Sequence, residues 1–217
     1  MTLLGTLLRR DLATLLGQAR GGPWLPVAFF LAVAVLFPFA VGPDRALLER
    51  TGGGVLWVAA LLAALLPIDR LVTPDREGGV FDQLALRGIT EELALAVRLL
   101  AHWLSFAPLL LLAALPGAAL LGLPGETLRL LLLGLLAGTP GLAALGVLVA
   151  ALTSGLRGGA ALGGLLLLPL GVPVLIFGAG ALGRGDPAAL AFCAAVSLVL
   201  CAIAPFAGAA VLRAGRG

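Results

Sequence analysis

DRLVTPDREGGVFDQLALRGITEE, residues 69–92, is a charged island between long apolar runs, and it holds nine of the chain's 25 charged residues. The 217-residue chain is 61% hydrophobic and only 12% charged, with a mean hydropathy of +1.14. Soluble domains carry about 25% charged residues. No soluble core of this length hides so much apolar surface. The fold class is therefore an all-α polytopic membrane protein. Residues 1–217 form a single membrane domain, with no room for a soluble catalytic domain.

Working outward from the island, six apolar runs read as spans: Trp24 to Val41, Gly53 to Ile68, Leu93 to Leu115, Leu128 to Leu152, Ala160 to Leu182 and Ala188 to Leu212. Each approaches the roughly 20 residues that a bilayer requires, the second only if Asp69 and Arg70 snorkel to the interface. Residues 1–22 differ. Leu3, Leu4, Leu7, Leu8, Leu12, Leu15 and Leu16 make an apolar helical face interrupted by Asp11, and Arg9, Arg10 and Arg20 flank it. This pattern predicts an interfacial helix, ended by Gly21-Gly22-Pro23. Arg9-Arg10 lacks the cleavage site of a removable signal.

All 14 basic residues are Arg and none is Lys. The bias of Arg toward one set of loops puts both termini and the island in the cytoplasm. This distribution also explains the pI near 10 without nucleic acid. A Walker-type phosphate loop needs its Lys, so the chain does not hydrolyse ATP by that route. Cys193 and Cys201 lack metal-ligand or haem-attachment spacing, and no metal site or catalytic residue is predicted. Thr153-Ser154-Gly155 has no nucleophile elbow around it, and Glu91-Glu92 lacks the histidines of a membrane metalloprotease. The lone histidine, His102, lies inside the third span beside Trp103, where an ionisable group is costly. Haem contact, proton relay and helix packing are all open to it. The prolines Pro38, Pro67, Pro108, Pro116, Pro140, Pro169, Pro173 and Pro205 suit kinked helices of transporters or of structural bundles. Gly134/Gly138 and Gly159/Gly163 permit close helix contact within the chain or across a dimer.

The spans carry almost no acid, so any powered function needs an outside energy source. Within the island, Pro74 stops the preceding helix, and Asp75 and Glu77 favour the start of a new one. Val80, Phe81, Leu84 and Leu86 offer an apolar stripe. A short amphipathic helix is expected there, with a solvated loop as the alternative.

Asp75-Arg76-Glu77-Gly78-Gly79 through Leu84, followed by a span, resembles the coupling segment of ABC-2-type export permeases. Further residues are similar to the protein B family of the cytochrome c maturation haem exporter. They are Phe37-Pro38-Phe39-Ala40-Val41-Gly42-Pro43, Val55 to Ala63, Ala101-His102-Trp103, Gly138-Thr139-Pro140, Ala151-Leu152-Thr153 and Leu168 to Gly178. The resemblance implies a non-catalytic permease subunit in the bacterial inner membrane, working as a homodimer. ATP would be bound and hydrolysed on a cytoplasmic ATPase subunit gripping residues 74–90, through Asp75, Arg76, Glu77, Gly78, Phe81 and Leu84. Other implied partners are a haem-handling membrane subunit with its small helper and a periplasmic haem chaperone. Haem is the implied substrate, not a resident cofactor, and the output is haem export or release of the loaded chaperone. An ABC-2 permease for a lipid, polysaccharide or drug is the alternative.

Overall fold

A computed structural model of the chain describes residues 3–17, 22, 24–156, 159–184 and 187–215. Among them lie ten helices and no strand: α1 (Leu3–Leu16), α2 (Trp24–Val41), α3 (Arg45–Leu65), α4 (Ile68–Leu71), α5 (Thr73–Glu77), α6 (Val80–Leu86), α7 (Glu91–Leu120), α8 (Gly125–Thr153), α9 (Gly159–Arg184) and α10 (Pro187–Ala214). Six of these, α2, α3 and α7 to α10, are long and apolar enough to cross a membrane. The protein is an all-α, multi-pass membrane protein.

The second span differs from its sequence expectation. It begins at Arg45, not Gly53, and stops at Leu65 without using Asp69 or Arg70. The reason lies at its N-terminus. Asp44 caps the helix, its Oδ1 accepting from the Leu47 amide at 3.1 Å. Capping lets the helix begin among charged residues at the interface. Twenty-one residues then rise about 31 Å, close to the roughly 30 Å of bilayer hydrocarbon.

α8 is the axis of the bundle, packing against α3, α7, α9 and α10. In its most apolar stretch 72% of residues are buried, against 22% for α2 and α10, so those two face lipid. Phe39 of α2 and Leu198 and Phe206 of α10 stand outward accordingly. Trp57 of α3 ties the core together. It is fully buried, and a Cβ built on Gly138 or Gly178 would lie 2.6 or 2.3 Å from its ring. The glycines of α8 and α9 thus form the slot for an indole. A Cβ on Gly163 would likewise meet Ile68 and Val149 at 3.1 and 3.3 Å. Packing within the chain accounts for these small residues.

The island folds as α4, α5 and α6 and so makes two short helices between Thr73 and Leu86 where the sequence suggested one. Gly79 breaks them with φ +64°, a left-handed conformation that glycine adopts without steric cost. α1 lies against α7 on the island side of the bundle. Arg20, Arg157 and Arg216 lie outside the described residues.

Candidate functional site

A four-residue ion cluster, three of its members buried and Arg10 half-buried, fixes the island to the bundle. Arg98 stands seven residues into α7 and is only 6% exposed. Its Nε and Nη2 donate to the Asp11 carboxylate at 2.8 and 3.0 Å. The same guanidinium donates to Asp75 and to the Leu71 carbonyl. Arg10 closes the cluster from α1, donating to Asp75 through Nη1 and Nη2 at 2.9 and 2.6 Å and to Asp11 at 3.1 Å. Two guanidinium groups face two carboxylates, so the formal charges cancel. Burying such charges is tolerable only with this degree of pairing and hydrogen bonding. Burial pushes the Asp75 carboxyl up, but the bonds and charges of Arg10 and Arg98 outweigh it and hold the carboxyl below its ordinary value. The hydrogen bond to Asp75 in turn raises Arg10.

Asp11 is the residue that sequence reasoning treated as an interruption of the α1 apolar face. It lies on the buried stripe Leu7, Asp11, Leu15, at spacing i, i+4. A charge on such a stripe requires a partner. Arg98, counted as a topology signal, is the charge inside the third span that supplies one. The two features together were a readable sign of a pair.

Two further links join the island side of the bundle. Arg76 Nη1 donates to Ser154 Oγ at 2.9 Å and Nη2 to the Gly215 carbonyl at 3.1 Å. Gly155 and Gly215 leave room for that guanidinium, since a Cβ on either would sit 3.0 or 2.4 Å from it. Arg213, near the end of α10, pairs with Glu92 and, at 3.5 Å, with Glu91 at the start of α7. Among the described residues, every ion pair between different helices lies on this face. On the opposite face Glu126 and Arg129 pair within one helix, and no ion pair between different helices lies there among the described residues.

The six predicted coupling residues therefore divide by direction. Asp75 and Phe81 are turned inward, at 7% and 8% exposure. Arg76 and Leu84 are half-buried, while Glu77 and Gly78 are exposed. The outer surface also includes Asp69, Pro74, Asp82, Gln83 and Arg87, and Leu86, the last residue of α6, 90% exposed. Two recesses flank α5 and α6. One of about 580 Å³ is lined by Asp69, Arg76, Glu77 and Ser154, and one of about 430 Å³ by Leu3, Leu7, Leu84 and Arg87.

His102 and Trp103 part company. Trp103 Nε1 donates to Thr139 Oγ1 at 3.0 Å, joining α7 to α8. His102 is fully buried, with its ring 4.8 Å from that of Phe106, and neither nitrogen meets a hydrogen-bonding atom of the protein. Nε2 would lie 3.4 Å from a Cβ on Gly146. Cys193 is buried with Cys201 half-buried, both as free thiols. Among the described residues no three His, Cys, Asp or Glu side chains group as metal ligands would.

Residues 2–215 match the family described as CcmB protein. The chain is 50% identical to Heme exporter protein B of Paracoccus denitrificans over 212 residues, covering 95% of this chain and 97% of that protein. It is 45% identical to Heme exporter protein B of Bradyrhizobium diazoefficiens, covering 99% of each. With the protein of the same name from Escherichia coli K12 it shares 39% identity, over 87% of this chain and 88% of that one.

Proposed function

The chain belongs to the CcmB family, and on that premise we propose that it is the permease subunit of an ATP-driven haem exporter serving cytochrome c maturation. It is non-catalytic and sits as a homodimer in the inner membrane, with both termini and the island in the cytoplasm. A partner ATPase docks on the island's outer surface, around Glu77, Gly78, Asp82 and Leu86. The motion it imposes serves haem export or the release of a haem-loaded periplasmic chaperone, beside a haem-handling membrane subunit and its small helper. The chain forms one membrane domain. Residues 74–90 are its coupling segment, and residues 1–22 its interfacial arm.

One observation carries the coupling role. The exposed surface of α5 and α6 is backed by the Arg10–Asp11–Asp75–Arg98 cluster, so a push on that surface bears directly on α1 and α7. A solvated loop without such backing would absorb the push in its own bending. Leu86 fits the part of a docking anchor, because an apolar side chain so exposed on a charged surface gains by being covered.

The test separates docking from folding. Leu86→Asp and Glu77→Lys alter exposed side chains and should leave insertion and thermal stability unchanged. Each should reduce co-purification of the ATPase about tenfold or more, the double variant more still. Undiminished co-purification with the double variant would remove the island from the interface.

A further inference from the structure

The face opposite the island carries a cleft that the exporter reading does not use. It has a volume of about 850 Å³ and lies between α2, α3 and α9. α2 packs on α3 and α7, and α9 on α3, α8 and α10, so α3 forms the floor between two outer walls. Phe37, Val58 and Leu175 make the walls and floor apolar. Gly54 opens the floor, since a Cβ built there would meet no atom within 4 Å. The cleft follows α3 from Glu49 to Leu62, a rise of about 20 Å. One leaflet of hydrocarbon is about 15 Å deep, so the cleft reaches from the interface past the midplane.

Its mouth at the interface is charged. Glu49 and Arg50 line it, both exposed. Among the described residues, neither enters an ion pair. An apolar trough ending in adjacent, uncommitted opposite charges complements one kind of molecule. We propose that this cleft binds a zwitterionic phospholipid of the leaflet opposite the island, one acyl chain lying over Gly54, its phosphate at Arg50 and its ammonium at Glu49. A guanidinium forms charge-assisted hydrogen bonds to phosphate, and a carboxylate accepts them from a primary ammonium. A tetrapyrrole dicarboxylate fits less well, because Glu49 would repel one of its acids.

The inference rests on the spanning arrangement and not on the exporter reading, so either can fail alone. The full chain is released from nanodiscs of equal phosphatidylethanolamine and phosphatidylglycerol, and native mass spectrometry counts retained lipid. One phosphatidylethanolamine per chain is expected. Arg50→Gln, a change at an exposed residue, should lower its retention about tenfold or more. Glu49→Gln should abolish the preference over phosphatidylglycerol. Gly54→Trp should remove the retained lipid by filling the trough, with helix content by circular dichroism as its folding control. Equal retention of both lipids, or retention indifferent to Arg50→Gln, overturns the proposal. So does haem that co-purifies with the chain and is lost from Gly54→Trp, as does a dimer dissociated by Gly54→Trp while lipid retention is unchanged.

Discussion

Replacing Arg98 by Met tests whether the ion cluster holds α1 and the island on the bundle. Met keeps an unbranched apolar stem of similar shape and removes the charge and donors. Arg98 makes two hydrogen bonds to Asp11, one to Asp75 and one to the Leu71 carbonyl. Without it, Asp75 keeps the Arg10 fork, but Asp11, 1% exposed, keeps only the 3.1 Å contact to Arg10. Breaking a buried pair from one side costs about 3–5 kcal/mol, because the partner charge is left uncompensated. At 1.4 kcal/mol per factor of ten, amide hydrogen exchange in α1 should speed up by roughly two to three and a half powers of ten. Arg10→Ala should cost far less, about 1 kcal/mol, since Arg10 is more than one-third exposed and both aspartates keep Arg98. Arg98→Met with Asp11→Leu removes both ends of the most buried pair and should recover at least about 2 kcal/mol of the single-variant loss. Equal exchange in Arg98→Met and Arg10→Ala, or strict additivity in the double variant, would refute this account.

The cluster also has an acid limit. The folded-state value of Asp75 lies below its ordinary value, so its stabilisation is complete above the ordinary carboxylate value and is lost as pH falls through the depressed one. Exchange protection of α1 and α5 should be flat from neutral to about pH 5 and fall below about pH 4; an Asp75→Asn variant that kept the same acid limb would assign it elsewhere. Trp57→Ala should cost about 3–5 kcal/mol, and Gly178→Leu should be severe beside Trp57 yet milder in the Trp57→Ala background. Thermal unfolding of the four proteins in detergent reads the cycle, and additive losses would separate the two residues. His102→Leu removes a buried group with no protein hydrogen bond, so stability should change by less than about 1 kcal/mol or rise. A loss above about 2 kcal/mol, or an altered haem spectrum of the purified complex, would give His102 a partner.

The spans were legible because bilayer hydrocarbon imposes a length and an apolar composition that survive every detail of packing. Their ends were less so. The Asp44 cap begins α3 eight residues before the apolar run does, and a cap is a local hydrogen bond invisible to hydropathy. The direction of the island's side chains was hidden for a different reason. Asp75 reads as a surface acid at a helix start until Arg98 and Arg10 are seen on either side of it, 23 and 65 residues away in sequence. Asp11 was the available clue, a charge spaced as a core residue. His102 was conspicuous as the lone histidine, but conspicuousness in sequence carried no information about whether a partner would be near.

The asymmetry between the two faces bears on how such a bundle could move. On the island face, α5 is joined to α1 and α7 by the four-residue cluster and to the ends of α8 and α10 through Arg76, while Arg213 joins α10 to α7. Shifting α5 alone means parting Asp75 from Arg98, a buried pair worth about 3–5 kcal/mol to break from one side, and from the more exposed Arg10, worth about 1 kcal/mol, so the low-energy response is for these elements to shift together. α2 and α9 take no part in these links among the described residues. On the opposite face they are separated by the 850 Å³ cleft over α3. A force entering at the island thus has a stiff connection to α1, α7, α8 and α10, and the compliant seam lies at the far end of α3, between α2 and α9. A lipid seated in that seam would stiffen it, so if the island is pushed as proposed, lipid occupancy would set how far α2 and α9 part in response.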